Sequence, residues 1–367
     1  MRRAEKKYSD AIEWLDSLNQ NKIVPGLERI AKLMNILENP QKKLKLIIIG
    51  GTNAKGSTCL NLNHNLTKNR LRIGCFTSPH IHSVRERIRI GKELINKDEF
   101  TDVLNLLREI VNENKIEATY FEILTAAAYQ YFHIKNVNYA IMEVGLGGEW
   151  DAVNIGDAYI AILTTLGIDH VNYLGNKLEE IAATKAKIVR KNSLVITGWA
   201  KKYHKYIPEC QSLMHSDSIE KWVEKTINLI GIKQPVEIID IPGRYEKVGN
   251  IILDTAHNTQ AIQFLISKNK EYDKIIIGIM EDKDIESIIG YLPKSCEILV
   301  CNLETERSVG SDKLATVCQN LGYNYRKFNN VKQAMEYSKN HKTLITGSFY
   351  TVSEAREYLK LEGHSEL

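Results

Sequence analysis

Short runs of β-branched and aliphatic residues punctuate this chain. They are separated by longer stretches in which apolar residues recur at helical spacing. The first half offers strand candidates at Leu46–Ile49, Ile73–Phe76, Tyr139–Val144, Tyr159–Thr164 and Leu194–Thr197, with amphipathic stretches at Asp98–Asn114, Glu122–Ile134 and Leu178–Arg190. Runs that are apolar at every position suit strands covered on both faces, as in a parallel sheet flanked by helices. The alternation resumes at Val236 with VEIID, NIILD, KIIIGIM, EILVCNL and KTLITG. Residues 200–234 are polar and show no clear strand, and IPGRY (Ile241–Tyr245) reads as a turn. The pattern predicts two α/β domains, residues 1–238 and 239–367.

Length agrees with that division, because 367 residues exceed the roughly 250–300 at which a single core stops growing. Charge narrows the class. Forty-nine basic and 45 acidic residues leave a net charge of +4, which does not suggest a nucleic-acid partner. The basic start MRRAEKKYSD is followed by no apolar segment, and no apolar run approaches the roughly 18 residues of a membrane helix. Six cysteines without a C-x-x-C pair argue against a disulfide framework or zinc site and fit a reducing cytosol.

The strongest local signal is LIIIGGTNAKGST, Leu46–Thr58. An apolar strand stops at Gly50 and Gly51, and Lys55, Gly56, Ser57 and Thr58 open a predicted helix. Glycines allow a close backbone approach, a helix start offers unpaired N–H groups, and a lysine can reach a terminal phosphate. The strict P-loop order places lysine after the second glycine, whereas here Lys55 precedes it. An ordinary strand-to-helix turn is the alternative; the lysine and two hydroxyls favour phosphate. Glu143, ending the apolar run YAIME, is costly to bury unless it is paired, holds a metal or caps the following turn. By themselves, His170 (expected at the end of a strand), Ser78 and Lys185 read as a core histidine, a turn serine and a solvated lysine.

GTNAKGST resembles the phosphate loop of the folylpolyglutamate synthase/dihydrofolate synthase family, a branch of the Mur ligases. The lysine-before-glycine order is that family's own. VPGLERIAKLMNILENPQ, TSPHIHSVRERIRI, TYFEILTAAAYQYF, MEVGLGGEWDAVN, LTTLGIDHVNYLGNKLEEIAATKAKIVR, PGRYEKVGNIILDTAHN, MEDKDIESII and ITGSFYTVSEAR are similar to further segments of the family, in the same order. The resemblance implies a P-loop-type ATPase domain with a mostly parallel sheet, followed by a smaller Rossmann-like domain. It implies an ATP-dependent ligase that joins L-glutamate to a folate through an acyl phosphate, with dihydropteroate as an alternative or additional acceptor. A catalytically lapsed nucleotide-binding regulator is the reading from a different class.

Site roles follow from the same resemblance. Gly51, Thr52, Asn53, Ala54, Lys55, Gly56, Ser57 and Thr58 would bind ATP phosphates, joined by Arg244, Asp254 and His257 from the second domain. Ser78, Glu143, His170 and a carbamylated Lys185 would hold two Mg²⁺ ions. Lys55, Lys185, His170 and Glu143 would carry the chemistry. Phe121, Glu122, Asp151, Ala152 and Val153 would meet the acceptor. The implied protein is a cytoplasmic monomer with small-molecule substrates.

Departures are local. Ala54 stands where the family usually has glycine, which would be strained if that position needs φ above zero. Glu149 and Trp150 replace an arginine and a smaller apolar residue, Val153 a threonine and Lys187 a glycine. No G-x-H-Q-x-x-N-A segment occurs in residues 200–240.

Overall fold

The computed structural model describes residues 2–18, 24–269 and 271–362, with side chains from Glu5 onward. The chain divides into two compact units. The first comprises residues 1–79, 84–168 and 174–239, and the second 80–83, 169–173 and 240–367. Two short segments of the expected first domain, His80–Ser83 and Asp169–Tyr173, therefore pack with the second unit.

The first unit holds eight strands: β1 (Leu46–Gly50), β2 (Ile73–Phe76), β3 (Ile88–Ile90), β4 (Glu93–Leu94), β5 (Tyr139–Glu143), β6 (Ala158–Leu163), β7 (Leu194–Thr197) and β8 (Ser212–His215). Their order is β4-β3-β2-β5-β1-β6-β7-β8. All neighbours are parallel except the β2–β3 and β3–β4 pairs. Ile47 lies between Ile141 of β5 and Ile160 of β6, deep in the sheet. Alternate residues of β1 serve opposite faces. Leu46 and Ile48 join the core containing helices Lys97–Glu113 and Tyr120–Ile134. Ile47 and Ile49 pack with Cys59, Leu62 and Leu66 of helix Lys55–Lys68 and with Trp222 and Val223 of helix Ile219–Leu229. Burial on both faces is why these runs lack polar alternation.

The second unit holds β9 (Glu246–Val248), β10 (Ile251–Leu253), β11 (Lys274–Ile277), β12 (Glu297–Cys301), β13 (Tyr325–Phe328) and β14 (Thr343–Thr346), ordered β13-β12-β11-β14-β10-β9. Only the β9–β10 pair is antiparallel. Both sheets agree with the expected α/β class and mostly parallel first sheet.

Three readings needed correction. Residues 200–234 contain β8 and helix Ile219–Leu229, which buries a stripe of Trp222, Val223, Thr226 and Ile227 between charged positions. VEIID is not a strand: Asn61 and Asn65 side chains, instead of a neighbouring strand, bond its backbone. Helix Leu178–Lys185 ends before Arg190, passing into a 3₁₀ turn at Ala186–Ile188. Strands β3, β4, β9 and β13 stand outside the expected set, because they are short and partly polar.

Candidate active site

Three central strands of the first unit, β5, β1 and β6, end side by side; the chain leaves β1 toward β2 in one half of the sheet and leaves β6 toward β7 in the other. Open α/β sheets bind ligands at this kind of crevice. The β1 exit turns at Gly51, whose φ is +139°; a Cβ there would lie 1.9 Å from Thr164 Oγ1. No other residue type fits. The turn is then sewn to the segment after β6. Thr52 N–H donates to the Thr165 carbonyl at 2.8 Å, and Asn53 N–H donates to Thr165 Oγ1 at 2.9 Å. Thr164 Oγ1 donates to the carbonyls of Asn53 (2.8 Å) and Gly50 (3.1 Å). Thr52 Oγ1 donates to the Gly167 carbonyl and accepts from Gly167 N–H, both at 3.0 Å.

Ala54 precedes helix Lys55–Lys68 with φ +67° and ψ +4°. The left-handed conformation anticipated at this position is present, on a residue with a Cβ. The helix start leaves its first N–H groups without intrahelical acceptors. Lys55 Nζ donates to the Thr52 carbonyl at 3.2 Å. The two hydroxyls differ. Thr58 Oγ1 is buried and donates to the Ala54 carbonyl at 2.7 Å, whereas Ser57 Oγ has no hydrogen-bond partner among the described residues. Thr58 therefore braces the turn, and Ser57 is the hydroxyl left for a ligand.

Lys185 is buried, not solvated, with 4% of its surface exposed, and its Nζ donates to the Gly51 carbonyl at 2.9 Å. Glu143, 3% exposed, ends β5; its Oε2 accepts from Ser78 N–H at 2.9 Å, just past β2. A Cβ on Gly56 would come within 3.2 Å of the same oxygen, so the carboxylate stands over the helix start, where the dipole favours negative charge. The alternative role for Glu143, capping the turn that follows it, belongs to Asp151: its Oδ2 accepts from Leu146 N–H at 2.8 Å and its Oδ1 from Val153 N–H at 3.0 Å. Burial pushes the Asp151 carboxyl up to about 6, against these N–H donors and Lys55, which act to lower it.

The expected acceptor residues separate into two groups. Phe121 is half-buried, tilted against Phe76 at 5.8 Å, and close enough to Gly145 that a Cβ there would touch its ring at 2.7 Å. Glu122 is a structural carboxylate. It completes a capping box with Thr119, accepting Thr119 N–H at 2.7 Å, and pairs with Arg29 at 3.2 Å. Val153 is fully buried, and Tyr129 donates to its carbonyl at 2.7 Å; Ala152 is 5% exposed. Asp151, Glu122 and Val153 thus shape the surrounding loops, and only Phe121 offers a ring face.

In the second unit His170 does not end a strand. It lies beyond β6 with φ +53°, its N–H bonded to Asp169 Oδ1 at 2.9 Å. Asp169 had no assigned role, yet it organises this region. Its carboxylate accepts from Lys283 Nζ at 2.8 Å and Asn258 Nδ2 at 3.0 Å, and His170 and His257 each approach it to 3.9 Å. Burial acts to raise the Asp169 carboxyl, but His170, Lys283 and His257 together hold it well below the usual range. Asp254 accepts from Tyr245 N–H (2.8 Å) and Ala256 N–H (2.9 Å). Arg244 donates to Thr255 Oγ1 and stacks on Phe349 at 4.8 Å. The signal for Asp169 and Lys283 was their place in GIDH and EDKD; nothing local paired them.

A metal would need mixed donors, since among the described residues no three His, Cys, Asp or Glu side chains cluster to hold one. The first unit supplies hard oxygen donors suited to Mg²⁺: the buried Glu143 carboxylate and the Ser78 hydroxyl, which has no described partner.

Comparison with known proteins gives consistent matches. The Mur ligase middle domain model matches residues 49–212, and the Mur ligase glutamate ligase domain model matches residues 243–349. A dihydrofolate synthase/folylpolyglutamate synthase of Buchnera aphidicola subsp. Baizongia pistaciae is 30% identical, covering 95% of this chain and 95% of its own length. The chain spans 50% of a probable bifunctional folylpolyglutamate synthase/dihydropteroate synthase of Haloferax volcanii, at 25% identity. Escherichia coli FolC, solved in complex with DHPP and ADP, superposes with TM-score 0.85 at 25% identity, covering 96% of this chain and 97% of that one. A Yersinia pestis bifunctional folylpolyglutamate synthase/dihydrofolate synthase, complexed with AMPPNP and Mn ion, shares the fold with TM-score 0.86 at 24% identity, covering 96% and 98%.

Proposed function

Because this chain belongs to the Mur ligase family, in its dihydrofolate synthase/folylpolyglutamate synthase branch, we propose that it uses ATP to ligate L-glutamate to a folate. The observation that carries this reading is the turn Gly51–Thr58, at which Lys55, Lys185 and Glu143 gather.

The chemistry follows from those groups. A carboxylate is a poor electrophile. Attack by a folate carboxylate oxygen on the γ-phosphorus forms an O–P bond, breaks the bond to the bridging oxygen, and yields an acyl phosphate and ADP. The glutamate amine then attacks the carbonyl carbon, inorganic phosphate leaves, and the amine's excess proton passes to solvent. Negative charge on the phosphoryl oxygens must be met during the first step. Lys55, released from the Thr52 carbonyl, and the N–H groups at the helix start meet it, and Ser57 supplies a hydroxyl. Ser78, Glu143 and His170 are the proposed Mg²⁺ donors; when bound, two such ions neutralise phosphoryl charge. Arg244, Asp254 and His257 are further ATP contacts in this proposal. Phe121 gives a flat pterin a stacking face, beside Ala152.

Lys185 is proposed to carry a carbamate, an anion of hard oxygens. The carbamate nitrogen keeps one hydrogen, enough to maintain the bond to the Gly51 carbonyl. Labelled with ¹³C-bicarbonate, the protein should show a carbamate carbon resonance that Lys185→Gln lacks. An identical spectrum in both proteins would rule the carbamate out.

The assignment as a whole is tested by ADP release with dihydropteroate or tetrahydrofolate plus glutamate, with the product weighed by mass spectrometry. Acceptor-dependent ADP and a product heavier by one glutamyl residue are expected. Nucleotide binding without acceptor-dependent ADP would point to a regulator instead.

A further inference from the structure

The helix that starts at the phosphate turn is also the dock for the chain segment that leaves the first unit. Asn61 and Asn65 are one turn apart on helix Lys55–Lys68 and are 2% and 3% exposed. Asn65 presents a complete amide to the backbone of one residue: its Oδ1 accepts from Glu237 N–H at 3.0 Å, and its Nδ2 donates to the Glu237 carbonyl at 2.8 Å. Asn61 Oδ1 accepts from Ile239 N–H at 2.9 Å. Four helical residues rise about 6 Å and two extended residues about 6.6 Å, so the helix matches every second peptide of an extended chain. His64 Nε2 (3.0 Å) and Lys68 Nζ (2.8 Å) add contacts to the Glu237 carboxylate. The same amides reach back along the helix. Asn65 Nδ2 donates to the Asn61 carbonyl, and Asn61 Nδ2 donates to the carbonyl of Ser57, each at 2.8 Å. One ladder thus runs from Ser57, in the turn, to Ile239, the last residue of the first unit.

We propose that Asn61 and Asn65 are positioning residues that couple occupancy of the phosphate turn to order in residues 236–240. This rests on the nucleotide role of the turn. A ligand that firms the first helical turn steadies the Ser57 carbonyl, hence Asn61, hence the exit peptide. By reciprocity, an undocked exit segment leaves the helix start looser.

Amide hydrogen exchange reads this directly. In the wild-type protein, AMPPNP with Mg²⁺ should slow exchange in residues 55–69 and 236–240 together. In the Asn61→Ala/Asn65→Ala double variant, 236–240 should exchange about tenfold faster or more, without response to nucleotide. Its nucleotide Kd by calorimetry should weaken by the factor by which nucleotide slows exchange of residues 236–240 in the wild-type protein, because the coupling is reciprocal, and kcat should fall about tenfold. If the double variant fails to fold, Ile239→Pro removes one donor N–H and leaves the helix sequence intact; it should reproduce the faster exchange. Glu237→Ala, which keeps both amide contacts, should leave the nucleotide response in place. Wild-type exchange in 236–240 that ignores a nucleotide shown to bind would overturn the coupling. So would unchanged kcat in a variant whose exit segment exchanges freely. Absence of any nucleotide heat in the wild-type protein would overturn the ligase assignment as well.

Discussion

Ala54 is the clearest residue-scale cost in the site. Its φ of +67° is a conformation in which a Cβ crowds the following carbonyl, and glycine adopts it freely. Ala54→Gly is expected to stabilise the protein by about 0.5–1 kcal/mol, net of the greater freedom glycine gives the unfolded chain. Thermal unfolding at matched conditions checks this; a lower midpoint would mean that the strain is relieved elsewhere. Adjacent hydroxyls should behave oppositely. Thr58→Ala removes a buried bond to the Ala54 carbonyl and should cost about 1 kcal/mol of stability. Ser57→Ala should leave the melting curve nearly unchanged while weakening nucleotide binding. Asp151 supplies a pH signature. Its folded value near 6 lies above the ordinary carboxylate value of about 3.9, so between those limits the fold binds a proton that the unfolded chain does not. That increment of stability is fully present below about pH 4 and is lost as pH rises through 6. Asp151→Asn should remove this slope from stability measured between pH 4 and 7.

Elements matter here through what their ends hold. The close of β6 grips the phosphate turn through Thr164, whose hydroxyl donates to two carbonyls of the turn. Thr164→Val keeps the strand's shape and apolar packing but removes the hydroxyl's bonds to the Asn53 and Gly50 carbonyls, leaving Thr165 Oγ1 at 3.3 Å from the Asn53 carbonyl, at about 0.5–1.5 kcal/mol. Nucleotide affinity measured by calorimetry should fall about tenfold or more, with the far-ultraviolet spectrum unchanged. Unaltered affinity would show that Gly51 and the bonds to Thr165 and Gly167 hold the turn without Thr164. Strand period was a reliable guide where a run was buried on both faces, as in β1 and β5. It failed at VEIID, because an extended chain can be satisfied by a helix's asparagine ladder as well as by another strand. Helix Ile219–Leu229 went unread for the converse reason: a helix against one sheet face needs only a narrow apolar stripe, here Trp222, Val223 and Ile227, and the charged residues between them make the segment polar on average.

At the scale of the whole molecule, Arg244 tests whether the second unit takes part in the chemistry. Its guanidinium bonds Thr255 and stacks on Phe349, and Asp254 lies near enough to feel its charge. Arg244→Ala is expected to lower kcat by about a hundredfold while shifting the thermal midpoint only slightly. Unchanged turnover with a large loss of stability would make it a structural cation. The sequence by itself determined the class of fold, the glycine turn after β1 and the family, since apolar period, glycine placement and ordered motifs are properties of short windows. It marked Ser78, His170 and Lys185 only through resemblance, and Glu143 also as a carboxylate ending an apolar run. Tertiary structure alone decided which of those groups are buried and with what. Lys185 reads as solvated until Gly51 covers it, Glu122 reads as a ligand until Arg29 and Thr119 claim it, and Asp169 has no visible task until Lys283 and Asn258, far along the chain, converge on it. Burial and long-range pairing depend on which distant segments share a space, and no local window records that.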